Sequence, residues 1–395
     1  MHPVLKKATR LLSDRGLQRF CAAQSMLHSN TKAGQTVNGC SHPIVSRAFV
    51  AYVMVMTDTQ KKTIYDIAKR AGASPSTVSA ALNGTWKKRR IAQATAERII
   101  EIAREHGYSA NLQARALRTS RSGLVALLMP EYNRFFSNIA QTFSQEVRAR
   151  NQCPVIISTG RDPDEERSTV ADLTSWSIDA IFFVGTVAPD DLSHQCRAAG
   201  IPHVFVDQPC AIAPSVVTDS RTGARILTRE IIASMTKRGR SFGDDSRETV
   251  YFVGGDRTLP STKNRVDGFS EEMYAQVGQI SARQILASTY DLEAATRTIT
   301  ELYAQLGGLP AGLFINSDSV FEGTLRFLAT LPEHELSACS FGCFDYEPFG
   351  QLLRFPVHMM RQRHKMLVQR AFALLENETP PVIEYVQPEL YRAAD

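Results

Sequence analysis

The stretch from Thr63 to Gly84, TIYDIAKRAGASPSTVSAALNG, constrains the fold more than any other, because it carries helix start and stop signals twice in quick succession. Thr63 is placed to cap a first helix, and Ile64, Ile67, Ala68 and Ala71 follow at spacings of three and four, which puts them on one face. Gly72 ends that helix where a left-handed backbone is commonly required. Ser74 caps a second helix and Pro75 takes its first position, where the missing N–H leaves no bond unmade. Val78, Ala81 and Leu82 give the second helix an apolar stripe. Ser76, Thr77, Ser79 and Ala80 are small or hydroxylated, and small side chains let a helix approach a phosphate backbone or a base edge. The pattern is a helix-turn-helix. Any two short amphipathic helices around a glycine share it, so the flanks decide its meaning.

Downstream, Ala94 to Glu105 reads as a third amphipathic helix with Ile99, Ile100, Ile102 and Ala103 apolar, closed by HGY at Gly107. Three helices make a minimal core. With YDIAKRAGASPSTVSAALNG followed by HGYSANLQARALRTSRSGLVALLMP, the sequence resembles the head and hinge of the lactose/galactose-repressor family of bacterial transcription regulators. The resemblance implies double-stranded operator DNA as partner, with contacts from Thr63, Tyr65, Ser74, Pro75, Ser76, Thr77, Ser79 and Ala80. It implies a homodimer, or a tetramer built from one. The link TWKKRRI, Thr85 to Ile91, resembles the extended loop of the fructose-repressor branch. Lys87, Lys88, Arg89 and Arg90 can reach phosphates from it and Trp86 can anchor it, unless it is simply a solvated connector. Residues 109–121 correspond to the family hinge, a segment that folds on the operator and wedges a leucine into the minor groove, bending the duplex. Leu117 holds that position, with Asn111, Ala114, Arg115 and Arg118 beside it, and Ala110 replaces the usual proline.

Charge is segregated along the chain. Residues 1–56 carry seven Lys/Arg against one Asp and residues 57–121 thirteen against five, so residues 122–395 are net −9 although the whole is +5. A basic head on an acidic body suits phosphate neutralisation by one module. Residues 1–56 show no sustained period before the apolar run AFVAYVMVM, which is too short to span a bilayer and predicts no signal peptide. A disordered or over-extended segment, with Met54 or Met56 as the true start, is the expectation. Seven scattered cysteines suggest neither a disulfide framework nor a zinc site, which fits a reducing cytoplasm.

From Gly123 short apolar runs alternate with helical stretches: LVALLM (124–129), PVIIS (154–158), AIFFVG (180–185), HVFVD (203–207), VYFVGG (250–255), GLFIN (312–316) and ACSFGC (338–343). This is α/β order with parallel sheets covered on both faces. So long a stretch exceeds one comfortable core, so two doubly wound subdomains are expected, broken near Asp219. The resemblance continues through RVDGF, FDYEPF and MMRQRH and implies the type I periplasmic-binding-protein architecture. The expected division is head 57–108, hinge 109–121, a first subdomain of 122–219 with 357–380, and a second of 220–356 with 381–395.

Ligands of open parallel sheets sit beyond the carboxyl ends of the strands. That rule selects Asn133, Phe135 and Phe136 after the first strand, Asp207 after HVFVD, Ser317 and Asp318 after GLFIN, and Asp345 after ACSFGC. Arg265 matches the family arginine that contacts effectors, and Asp345 the aspartate that binds sugar hydroxyls. Carboxylates accept hydroxyl hydrogens and a guanidinium fork donates, so these residues suit a sugar or sugar phosphate. A purine or other non-sugar ligand is the alternative. Asp207 and Asp318 could instead cap helices, Arg265 could form an ion pair, and Phe136 could be core. No phosphate-binding loop, zinc-protease motif or nucleophile elbow is present, so no catalytic residue, metal or cofactor is expected. A secreted solute-binding protein would share the body but not the basic head.

Overall fold

The computed structural model describes residues 62–108, 121–243, 246–278 and 280–393. They fall into two compact units, divided along the chain after residue 110. The first unit is a three-helix head: α1 (Ile64–Ala71), α2 (Pro75–Leu82) and α3 (Gln93–Glu105). Thr63 and Asp66 form a reciprocal capping box, Asp66 accepting the Thr63 N–H at 2.8 Å. The hydrogen bonds from Thr63 hold the Asp66 carboxyl below its usual range. Gly72 closes α1 in a left-handed conformation (φ 57°), and Ser74 caps α2 by accepting the Thr77 N–H at 3.1 Å.

Ile67, Val78 and Ile99 are fully buried at the centre of the head, surrounded by Ala68, Ala71, Ala81, Ala96 and Ala103. Each of the three large side chains contributes about 1.5–3 kcal/mol, and the alanines let the helices approach. Arg98 donates from α3 to the Ala71 carbonyl at 2.8 Å, tying the third helix to the end of the first. Two sequence expectations need correction. Ile100 is exposed, so the apolar face of α3 is narrower than its composition suggests. Ala80 is buried, not available to DNA: the chain turns back at Thr85, whose N–H donates to the Ala80 carbonyl at 3.0 Å.

The second unit holds two six-stranded sheets. The strands are β1 (Leu124–Met129), β2 (Cys153–Ser158), β3 (Ala180–Val184), β4 (His203–Val206), β5 (Ser215–Thr218), β6 (Val250–Val253), β7 (Ile285–Leu286), β8 (Gly312–Ile315), β9 (Ser340–Cys343), β10 (Val357–Arg361), β11 (Ile383–Val386) and β12 (Glu389–Tyr391). The helices are α4 (Arg134–Ala149), α5 (Pro163–Ser175), α6 (Pro189–Ala198), α7 (Ser220–Lys237), α8 (Pro260–Val277), α9 (Leu292–Leu306), α10 (Asp318–Leu328), α11 (Glu333–Ala338) and α12 (His364–Glu376). The sheet orders are β11-β5-β4-β3-β1-β2 and β12-β10-β9-β8-β6-β7. Among the described residues every pairing is parallel except β10 with β12. Phe143, Phe182 and Phe372 fill one core and Phe252, Phe269 and Phe314 another.

The α/β architecture with two doubly wound sheets is as expected, and the apolar runs are its strands. The run ACSFGC is shorter as a strand than expected, because Ala338 closes α11 and β9 begins at Ser340. The expected subdomain boundaries are corrected at the end of the chain. Strand β10 belongs to the second sheet rather than the first, and β11 to the first rather than the second. The chain therefore passes between the sheets three times, after Thr218, at Gln362 and at Gln387. The passages are bonded to one another: Thr218 Oγ1 donates to Gln362 Oε1 at 2.7 Å, and the Asp219 N–H donates to the Val386 carbonyl at 2.9 Å. Three adjacent strands of backbone between two rigid bodies form a natural hinge.

Candidate functional site

On the head, the hydroxylated side of α2 is the accessible one. Ser74 and Ser76 are exposed and Pro75, Thr77 and Ser79 half-exposed, and the Ser74 hydroxyl lies 2.8 Å from that of Ser76 and 2.9 Å from that of Thr77. Thr63 is exposed at the start of α1, and Tyr65 is 72% exposed. Lys87, Lys88, Arg89 and Arg90 are all exposed. Their loop is a defined turn: Ile91 N–H donates to the Trp86 carbonyl at 3.0 Å, Trp86 packs against the head core, and the Lys87 ammonium lies 5.3 Å from the indole. The hinge candidates Asn111, Ala114, Arg115, Leu117 and Arg118 lie outside the described residues, as does the segment 1–56.

In the body, all eight cleft candidates line one hollow between the two sheets. Asn133 caps α4, accepting the Phe136 N–H at 3.0 Å, and Phe135 and Phe136 occupy its first turn. Ser317 caps α10 and Asp318 is its first residue. Asp345 follows β9 and accepts the Asp318 N–H at 3.2 Å. Asp207 follows β4 and caps no helix; it holds a left-handed backbone, φ 61°. Phe136 is buried, packed edge-on to Phe135 at 5.1 Å between ring centres, so it is a wall of the hollow rather than a free stacking platform. Gly185, at the end of β3, is left-handed too, and a Cβ there would meet the Phe136 ring at 3.1 Å.

Arg265 is buried on α8. Its Nη1 donates to the Asn316 carbonyl at 2.6 Å and its guanidinium carbon lies 4.0 Å from the Phe344 ring centre. Its Nε is buried with no hydrogen-bond partner among the described residues. An unspent donor on a charged group is costly to bury, on the order of 1–3 kcal/mol. Burial pushes Asp207 up to about 6, while Arg265 and Arg161 pull it back. Burial, and then the nearby Asp318 carboxylate, raise Asp345 far above the usual carboxylate range.

Residues outside the candidate set complete the hollow. Arg161 follows β2 in a left-handed conformation (φ 60°), donates to the Gly185 carbonyl at 3.2 Å, and lies 5.7 Å from the Phe136 ring centre and 6.0 Å from that of Tyr290 in the second subdomain. Left-handed non-glycine residues cost roughly 1–3 kcal/mol and gather at working sites. Gln362, on the middle passage, donates to Asp345 at 2.8 Å while accepting from Thr218, and so joins the hollow to the hinge. Arg134 and Glu347 pair at 2.6 Å from opposite subdomains. The hollow is narrow, about 40 Å³. That is room for a few waters, against roughly 300 Å³ or more for an ordinary small-molecule pocket. It adjoins a larger hollow of about 720 Å³ that shares Phe135, Asp318, Asp345 and Gln362.

A helix-turn-helix head followed by two sheets around a polar cleft defines a DNA-binding regulator with a ligand-sensing body. Residues 63–111 match the bacterial regulatory proteins of the lacI family, and residues 122–330 match the periplasmic binding proteins and sugar binding domain of the same family. The chain belongs to the lacI family and is a DNA-binding transcription regulator, not an enzyme. It is 40% identical over 199 residues to the ribitol operon repressor of Klebsiella aerogenes, covering 50% of this chain and 72% of that one. Among solved structures it is similar to the Cra transcriptional dual regulator of Pseudomonas putida in complex with fructose 1-phosphate (TM-score 0.61, 23% identity, 69% of this chain and 99% of that one). It is also similar to the lac repressor dimer bound to operator and the anti-inducer ONPF (TM-score 0.66, 17% identity, 85% of this chain and 98% of that one). Both likenesses concern the fold. Among the described residues, no helix is long and apolar enough to cross a membrane.

Proposed function

We propose that this chain is a cytoplasmic, dimeric repressor whose affinity for its operator is set by a small neutral polyol bound between the two subdomains of the body. The observation that carries the reading is the convergence, from both sheets, of Asp207, Asp318 and Asp345 with Arg161 and Arg265 on one hollow. With the Asp345 carboxyl holding its proton near neutral pH, two carboxylates face two guanidiniums, and the hollow has no surplus positive charge for a phosphate. These groups do supply paired acceptors and donors for hydroxyls. A phosphorylated ligand would bring its charge against carboxyl groups that already resist ionisation. The ribitol operon repressor, named for a neutral pentitol, supports the same choice.

Because the hollow is so narrow, a polyol enters only if the subdomains part about their three passages and close again on it. A ligand shifts that equilibrium only by its preference for one form, so the coupling to operator affinity should be on the order of 1–3 kcal/mol. In a dimer, altered subdomain angle changes the spacing of the two segments that lead to the heads. Isothermal titration of the full chain with pentitols, hexoses and their phosphates tests the reading. Binding of a neutral polyol and not of its phosphate supports it. Binding of phosphates or purines alone would refute the polyol assignment.

A further inference from the structure

We infer that Asp179 is the positioning residue that fixes where the body ends and the hinge begins, so that movement of the first subdomain reaches the head without slack. The inference rests on the ligand-controlled reading above.

Asp179 stands immediately before β3, and its carboxylate gathers four donors. Oδ1 accepts the Ser122 N–H at 2.8 Å and the Ser122 hydroxyl at 3.1 Å, and Oδ2 accepts the Gly123 N–H at 3.1 Å and the Gln152 amide at 3.4 Å. The Asp179 N–H donates to the Leu124 carbonyl at 2.9 Å. The parallel ladder of β1 with β2 and β3 begins only at Leu124 and Val125. Ser122 and Gly123 precede these registers, and this one side chain satisfies both of their backbone donors. The Gly123 carbonyl also accepts the Cys153 N–H at 2.8 Å, and the Ser122 hydroxyl the Leu124 N–H at 3.1 Å. Ser122 is buried. The carboxylate fastens Ser122, the last residue before the ladder, to the subdomain.

The other end of the same strand lies in the cleft. Strand β3 is buried at every residue and runs between β1 and β4. Its five residues span ~17 Å. It ends at Gly185, against Phe136 and under the Arg161 guanidinium. One rigid strand therefore has the ligand hollow at one end and the start of the hinge at the other. While Gly123 stays bonded through its carbonyl to the Cys153 N–H, each released residue adds up to ~3.5 Å of tether, so freeing Ser122 adds ~3.5 Å. Subdomain displacements are a few ångströms and would be absorbed by it.

The test is Asp179→Asn in the full chain, which puts an NH2 group where one pair of donors now points. Operator and random duplexes are compared by fluorescence anisotropy, with and without ribitol as probe polyol, alongside ribitol titration and thermal unfolding. Operator affinity should fall about tenfold, the loss of roughly one hydrogen bond's worth of ordering. Random-duplex and ribitol affinities should stay within about twofold, since the head's charges and the cleft are untouched. A folded Asp179→Asn chain with unchanged operator affinity would overturn the inference, and so would one that loses ribitol binding as strongly as operator binding. Should Asp179→Asn unfold, Ser122→Ala decides: it removes one of the four donors and should weaken operator binding about threefold, and no loss overturns the inference. A parent chain that answers to no polyol leaves the DNA comparison to decide in the same way. A parent that binds no duplex more tightly than random DNA refutes the regulator reading itself, and this inference with it.

Discussion

Arg265→Lys isolates the geometry of the cleft from its charge. In the parent, the guanidinium is fixed by its 2.6 Å bond to the Asn316 carbonyl and by the Phe344 ring beneath it, while Nε has no partner among the described residues. A lysine keeps the positive charge that draws Asp207 and Asp345 downward, but it replaces a planar fork by a point donor. At least one charge-assisted hydrogen bond to a ligand hydroxyl is lost, about 1.5–3 kcal/mol, which is roughly 10- to 150-fold in Kd. Isothermal titration at pH 7.5 with ribitol and a hexose panel measures the loss, and thermal unfolding checks that the variant is folded. Operator affinity without ligand should be unchanged, because Arg265 is on the body. A folded Lys variant that binds the same polyol as tightly as the parent would refute the guanidinium as a ligand contact.

Asp207 offers a pH test. Its carboxyl is pushed up to about 6 by burial, against 3.8 ordinarily, so folding takes up a proton between these values. The stabilising contribution of its protonated form is present below pH 3.8 and is lost as the pH rises through about 6. Asp207→Asn, which tolerates the same left-handed backbone, should raise stability at pH 7.5 by up to about 3 kcal/mol and give no gain near pH 4. Unfolding midpoints at the two pH values check this; an equal shift at both would contradict it. On the head, replacing Lys87, Lys88, Arg89 and Arg90 by Ala should weaken binding to operator and random duplexes alike and flatten the salt dependence by about 0.9 for each phosphate no longer neutralised. An unchanged slope in a salt titration would make the loop a connector only.

The head was readable from sequence because its signals are local. The caps at Thr63 and Ser74, the Gly72 stop and the Pro75 start act within a turn of where they stand, and the structure shows each in its role. Ala80 misled because alanine fits a core and a DNA-facing surface equally, and the turn that covers it depends on the later Thr85. In the body, the apolar runs marked buried interior strands and, in PVIIS, the half-buried edge strand β2, and the carboxyl-end rule brought distant residues such as Asn133, Asp207 and Asp345 to one hollow. The other edges were not readable. Strands β7, β11 and β12 are short and partly exposed, so they lack a continuous apolar run, and the sheet that β10 and β11 join is set by pairing across long sequence separations. Arg161 carries no pattern, and Gln362 lies within MMRQRH with nothing there to mark its role: a single polar residue after a strand acquires its role only when the other subdomain arrives.

The central claim is that one chain joins a sequence-reading head to a polyol-sensing body. It is tested most directly by selecting genomic fragments on the full chain and measuring the affinity of the best fragment with and without a saturating neutral polyol. The fragment should bind at least about a thousandfold more tightly than random DNA at physiological salt. The polyol should then change that affinity by about 5- to 150-fold, and Asp345→Ala should abolish the change while sparing the DNA affinity. A fragment no better than random DNA, or a polyol that binds the chain and leaves its operator affinity untouched, would contradict the account.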